Sequence, residues 1–397
     1  MAESWPLLKA GTSGIARIKR FDPVDLGLET HIAGEVKDFD PSDFMDARTA
    51  RRMDRFGQFA VAAAAEAVRQ SGLVVDDHNR DRIGVIFATG VGGLETIVNQ
   101  ENVRQSRGPK RVSPLSVPML MPNAAAGNIG MQFGMRGLGM AVASACASSN
   151  DAIGMALAAI QLGWADAAVT GGAEAQVVPL AIAGFNQAGA LSTRFNEAPE
   201  RASRPFDKDR DGFVIAEMGT ALVLETLENA RRRGAPIWAE LAGYGASMDA
   251  FHITAPAPDG NGAVRAMRAA LENAGVVSEE IDYISAHGTS TPINDPIETR
   301  AVKELFGERA NRLPISSIKS MVGHSAGGCG ALEAAALALS ISEGVVPPTI
   351  NLETPDPACD LDYVPNVGRK VEIRAALSNV FGFGGHNSCI VLRRVED

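Results

Sequence analysis

Two stretches of the chain carry the same succession of apolar and polar positions. Residues 58–72 (QFAVAAAAEAVRQSG) place small apolar side chains at helical spacing and close on Gly72; an acidic link follows, and IGVIFATG at 83–90 reads as a buried strand. Residues 261–275 (NGAVRAMRAALENAG) repeat the plan, with Gly275 closing the helix and IDYISAHG at 281–288 as the strand. A second pair matches as well. DAIGMALAAIQLG at 151–163 follows Cys146, and ALEAAALALSISEG at 331–344 follows His324. Both helices are apolar on all sides, which predicts burial between sheets. The architecture implied is layered α/β with two pseudo-equivalent halves. Their boundary is expected near ARRRGAPIW at 230–238, where a charged helix end, a Gly and a Pro interrupt the pattern, giving halves 1–235 and 236–397.

Composition narrows the function. With 397 residues, 46% hydrophobic, the chain has enough material for a large core. A net charge of −10 argues against a nucleic-acid binder, whose phosphate contacts need a basic surface. No apolar run reaches membrane-spanning length and the start lacks a signal-peptide layout, so no membrane association and a cytoplasmic location are expected. The cysteines Cys146, Cys329, Cys359 and Cys389 show neither CxxC pairing nor metal spacing, so reduced thiols and no metal are expected. GVGG at 90–93 lacks the spacing of a dinucleotide loop, and no cofactor is expected.

Candidate chemistry gathers where strands meet helices. Cys146 lies in AVASACASSNDAIG, where an apolar strand turns through small residues into a helix. A thiol among alanines is usually an inert core group. At a helix start, however, the dipole favours thiolate and free backbone amides can receive an oxyanion. Two of six histidines stand in glycine-containing loops, His287 in AHGTSTP and His324 in KSMVGHSAGGCGA. The internal echo places His324 opposite Cys146, each opening the buried helix of its half. NVFGFGGHN at 379–387 makes a loop whose glycines let backbone approach another group closely.

Taken together, ACASS around Cys146, AHGTSTPINDPIE around His287, SSIKSMVGHSAGGCGALE around His324 and the terminal FGFGGHNS resemble the elongating β-ketoacyl-[acyl-carrier-protein] synthases of the thiolase-like superfamily. RPFDKDRDGFV at 204–214 and GALSTR at 189–194 support the resemblance, which runs in order along nearly the whole chain. It implies a thiolase-like αβαβα sandwich, each half with a mixed five-stranded sheet. It also implies decarboxylative condensation of an acyl-enzyme with malonyl-ACP, with acyl carrier protein (ACP) as partner, and a homodimer.

Carried over residue by residue, the resemblance makes Cys146 the acyl acceptor and His287 and His324 the pair acting on malonyl-ACP. Lys319 orients the site electrostatically, and the Phe383 amide joins that of Cys146 around the oxyanion. Glu333 matches an interior glutamate, Thr289 and Thr291 match threonines that bond the phosphopantetheine arm, and Val91 and Phe185 match acyl-pocket positions. A basic stretch, Arg48, Arg51, Arg52 and Arg55, helped by Arg104, Arg107, Lys110 and Arg111, is expected to dock the carrier. Polyketide assembly, or a non-catalytic partner subunit of the same fold, are the alternative functions.

Three features depart from the family pattern. Met218 in AEMGT stands where glycine is usual, and Gly189 where an arginine often helps docking. IWAELAGYGAS at 237–247 opens the second half as a strand, and no equivalent opens the first. The resemblance places that strand in the middle of its sheet, so its absence is expected to leave neighbouring strands unpaired.

Overall fold

The computed structural model describes residues 1–396. In the first half, helix α1 (Arg55–Ser71) is capped at its start by the Asp54 carboxylate, which accepts the Phe56 N–H, and ends at Gly72 in the left-handed conformation. Strands β1 (Ile83–Ala88), β2 (Gly139–Val142), β3 (Ala167–Glu174) and β4 (Met218–Glu225) make one sheet in the order β2-β1-β3-β4, with β4 antiparallel to β3 and the others parallel. Every residue of β1 and of β3 is buried. This continuous apolar character belongs to strands covered on both faces. Helix α2 (Ser148–Gln161) follows Cys146.

The second half repeats the order. Strands β5 (Glu240–Met248), β6 (Ile281–Ser285), β7 (Ile315–Ser316), β8 (Ala375–Gly382) and β9 (His386–Arg393) run β5-β9-β8-β6-β7 across their sheet. Helices α3 (Asn261–Ala274), α4 (Asn294–Phe306) and α5 (Cys329–Glu343) complete it. Helices α2 and α5 each touch strands of both sheets, while α1 and α3 cover the outer faces. The result is five layers, αβαβα. Close packing depends on small residues. A Cβ on Gly245 of β5 would lie 2.2 Å from the Ala270 nitrogen of α3, so only glycine lets that helix settle on the strand.

Aligned by sheet order, β2, β1, β3 and β4 correspond to β7, β6, β8 and β9, and β5 alone has no counterpart in the first sheet. The structure corrects one expectation here. Among the described residues strand β5 pairs only with β9, so the position empty in the first half is an edge, not a centre. Its absence therefore removes one ladder and leaves the rest of the sheet intact. Among the described residues no named strand pairs with the outer edge of β4, and a groove of about 460 Å³ runs there, lined by Met218–Ala221, Phe39, Phe44 and the Ala62, Ala63 and Ala67 face of α1. No helix among the described residues is long and apolar enough to cross a membrane.

Candidate active site

The two inner helices begin at the junction of the halves, and the candidate side chains collect there. Strand β2 turns into α2 through Ala145, whose φ of +52° puts a non-glycine residue in the left-handed region. The turn is fixed by Ser148, whose Oγ accepts the Ser144 N–H at 2.8 Å and donates to the Ala145 carbonyl at 2.5 Å. Cys146 is thus presented at the turn, partly accessible, with its Sγ 3.0 Å from His324 Nε2. The internal echo had placed these two residues opposite each other, and they meet.

His324 is held along its backbone. Its N–H donates to Val214 O at 2.7 Å, and its carbonyl accepts from Gln176 Nε2 at 3.0 Å. Its ring stands edge-on to Phe213 at 5.2 Å, and Phe213 meets Phe185 at 5.3 Å. The His287 ring lies 5.4 Å from that of His324 at 85°. Both Nδ1 atoms are enclosed without a hydrogen-bond partner among the described residues, and His324 faces Cys146 through Nε2. The His287 and Gly288 N–H groups both donate to the Glu298 carboxylate at 2.8 Å, so α4 fixes the loop that carries His287.

Behind these rings the Lys319 ammonium bonds the Glu333 carboxylate, both buried. Glu333 is thus interior, as the resemblance implied. Burial and, secondarily, the Lys319 charge hold both imidazoles well below the ordinary histidine range, so both are neutral near pH 7.

The cysteine behaves differently from the simplest reading of its helix start. Burial pushes the Cys146 thiol up to about 11, outweighing Lys319 and the Phe383 and Cys146 amides, which favour thiolate. The resting group is therefore a thiol.

The remaining predicted residues are dispersed around this centre. Thr289 and Thr291 hydroxyls bond each other at 3.0 Å beside Ser290, whose φ is +69°. Phe185 touches the centre through Phe213, while the Val91 side chain is 43% exposed. Met218 lies against the backbone at Gly328, just past His324, and Gly189 takes a φ of +65° with nothing within 4 Å of a Cβ. Arg48, Arg51 and Arg52 are exposed, but Arg55 must be removed from the basic patch. It turns inward, bonds the buried Glu217 at 2.8 Å and lies over the Phe59 ring at 4.6 Å. Sequence reasoning missed Glu174 and Glu298. Glu174 ends a fully buried strand and Glu298 closes the INDPIE run, and a carboxylate at such a place was the available signal.

A layered fold with a thiol, two neutral imidazoles and a buried ammonium at the junction of duplicated halves defines an acyltransferase of the thiolase-like class. Family profiles agree: the β-ketoacyl synthase N-terminal domain matches residues 1–230 and the β-ketoacyl synthase C-terminal domain residues 238–353. The chain belongs to the β-ketoacyl synthase family. It is 48% identical over 396 residues to 3-oxoacyl-[acyl-carrier-protein] synthase 2 of Synechocystis sp., covering 100% of this chain and 94% of that one. Among solved structures it is similar to the ishigamide ketosynthase/chain length factor, with TM-score 0.93, 38% identity, and 100% and 95% of the two chains covered. It is also similar to a type II PKS ketosynthase in complex with its acyl-carrier protein and bound to the hexaketide, with TM-score 0.91, 36% identity and the same coverage.

Proposed function

We propose that this chain elongates fatty acyl groups by condensing an acyl-Cys146 thioester with malonyl-ACP, giving 3-oxoacyl-ACP and carbon dioxide. The observation that carries the reading is the 3.0 Å contact between Cys146 Sγ and His324 Nε2, with neutral His287 across the same cleft. In the first half-reaction Sγ attacks the acyl-ACP carbonyl while His324 takes the thiol proton. The amides of Cys146 and Phe383 receive the oxyanion, and its collapse expels the ACP thiolate, which takes the proton back. In the second, the neutral His324 ring carries its proton on Nε2, the tautomer opposite to the one that accepts the thiol proton, and the Nε2–H groups of His287 and His324 donate to the malonyl thioester carbonyl. The bond to the carboxylate breaks, carbon dioxide leaves, and the electron pair remains as an enolate. Its carbon attacks the acyl thioester, and Cys146 leaves as thiolate and takes a proton from solvent, restoring the resting thiol. Both rings stay neutral in this step because burial and the Lys319 charge oppose a second cation there.

Acyl carrier protein is the partner this reading requires, docked over Arg48, Arg51 and Arg52 with Arg107, Lys110 and Arg111, all exposed. We assign residues 1–235 to the half that brings the nucleophile and 236–397 to the half that brings the histidines and Lys319. Thr289 and Thr291 would bond the pantetheine arm, and Val91 and Phe185 would border the acyl chain. A homodimer fits strand β2, which is the outermost of its sheet and keeps partly exposed side chains. Cytoplasmic placement follows from the substrates. Polyketide condensation uses the same chemistry and is favoured by the two structural likenesses, but the fatty-acid enzyme shares more identity with this chain.

The test is condensation of acyl-ACPs of increasing length with malonyl-ACP, following 3-oxoacyl-ACP and carbon dioxide. Absence of acyl label on Cys146 would leave the non-catalytic subunit as the better reading.

A further inference from the structure

Strand β3 ends on a carboxylate with no part in the steps above. Glu174 is fully buried. Its Oε1 accepts the Thr89 hydroxyl at 2.9 Å and the Val91 N–H at 3.3 Å, and its Oε2 accepts the Gly90 N–H at 2.6 Å and the Gly327 N–H at 3.1 Å. The four donors are uncharged and come from two places, the turn after β1 and the loop after His324. Burial raises this carboxyl to about 7 against the pull of those donors, so it is ionised at mildly alkaline pH.

The loop it grips is strained and closely packed. Ala326 has a φ of +41°, rare for a residue with a side chain. A Cβ on Gly327 would fall 2.2 Å from the Gly90 nitrogen and 2.9 Å from Glu174 Oε2, so the two backbones meet across the carboxylate. Three residues before Gly327, His324 must stay within bonding distance of Cys146. A misplacement of about 1 Å at such a contact costs roughly 10²-fold in rate.

We propose that Glu174 is a positioning residue: its carboxylate draws the Gly327 amide and the Thr89–Val91 turn together and so holds His324 against Cys146. The inference rests on the active-site reading given above. It predicts two effects of opposite sign. Glu174 also opposes thiolate formation at Cys146, whose other charged or titratable neighbours are Lys319, His324 and Cys329. Losing the charge therefore makes the thiol easier to ionise while losing the clamp makes catalysis worse.

The experiment compares Glu174→Gln, Glu174→Asp and Thr89→Val with the unaltered chain. Malonyl-ACP decarboxylation gives kcat and KM, and iodoacetamide alkylation of Cys146 against pH gives the thiol midpoint. For Glu174→Gln, kcat is expected to fall roughly 10- to 100-fold with KM within about twofold, and the alkylation midpoint to move to lower pH. Glu174→Asp keeps the charge but shortens the reach, so kcat falls while the midpoint holds. Thr89→Val removes one donor and lowers kcat less, which keeps the test open if the glutamine variant does not fold. An unchanged kcat, a loss that only follows the folded fraction, or a midpoint that stays or rises in Glu174→Gln would overturn the proposal. The alkylation arm needs no carrier substrate, so an unaltered chain that fails to decarboxylate malonyl-ACP would refute the function, while a midpoint that does not move to lower pH in Glu174→Gln would still refute the placing of the Glu174 charge beside Cys146.

Discussion

Replacing Glu333 with Gln isolates the charge on which the site turns. The Lys319 ammonium is buried with Glu333 as its counter-ion, their side chains 1% and 2% exposed. Breaking such a pair from one side costs about 3–5 kcal/mol, because an uncompensated charge stays behind. The lysine can limit that cost by giving up its proton. Deprotonating a group of ordinary pKa about 10.4 at pH 7.4 costs about 1.36 kcal/mol for each of three units, or about 4 kcal/mol, and at pH 9 about 2 kcal/mol. The sign follows from proton counting. In the variant the folded pKa of Lys319 falls below its unfolded value, so the unfolded chain binds more protons and stability rises with pH. In the unaltered chain Glu333 holds that lysine above its ordinary value, and it stays charged throughout this range. The gap between the two proteins should therefore shrink from about 4 to about 2 kcal/mol between pH 7.4 and 9.

Urea unfolding at those pH values measures the gap, with Trp5 as reporter because it is buried in the same cluster as Ile318 and Met321. The same variant reads the catalytic consequence. A neutral Lys319 no longer depresses the imidazoles of His287 and His324, so the acid limb of malonyl-ACP decarboxylation should move to higher pH. A pH-independent stability gap together with an unmoved acid limb would refute the reasoning.

Cys146→Ala should abolish acyl loading with little change in melting, and Cys146→Gln should leave a malonyl-ACP decarboxylase, since its amide imitates the acylated thiol; normal condensation by the alanine variant would sink the assignment. Rising salt should raise KM for acyl-ACP more than for a small acyl thioester if Arg48, Arg51 and Arg52 dock the carrier, and equal responses would remove the patch from the mechanism. Sedimentation at micromolar concentration should show a dimer, and a 41.6 kDa species alone would refute it. Fusing a short β-forming segment ahead of Met1, which borders the groove along β4, should raise the melting temperature by pairing the open edge, whereas indistinguishable melting would show that the four-stranded sheet is self-sufficient.

What was legible in the sequence followed from local pattern. The Ala-rich stretches gave α1, α2, α3 and α5 to within a few residues, since small residues at helical spacing with Gly72, Gly275 and Gly344 as stops are local signals. Repetition then brought Cys146 and His324 together without knowledge of any contact. What stayed hidden depends on partners distant in sequence. The edge position of β5 is set by pairing with β9, some 140 residues on, and no feature of either strand alone encodes it. Arg55 reads as one more basic residue until Glu217 is seen beneath it. Glu174 and Glu298 act through backbone amides, so a carboxylate in a buried run is their one mark in the sequence and the amides they bind leave none. The thiol's resting state was misjudged for a similar reason: a helix start is visible in sequence, but the desolvation that outweighs it is a property of the packed junction.

The duplicated architecture explains why one buried charge suffices for two different tasks. Condensation needs a thiol that can become thiolate and imidazoles that stay neutral, and both demands are met by a nearby positive charge, because it stabilises the anion and destabilises the imidazolium. Lys319 exerts both influences, lowering Cys146, His287 and His324 alike. An isolated ammonium at that depth would lose its proton, so Glu333 on α5 must accompany it, and its own negative charge must not cancel the effect at the reacting groups. Cys146 and His324 stand at the starts of α2 and α5, while Glu333 lies further along α5. The helix that begins at the His324 loop thus also carries the counter-ion, set back into the apolar layer between the sheets. Burial leaves the resting cysteine protonated, and in the proposed reaction His324, 3.0 Å away, would accept that proton as the acyl thioester arrives.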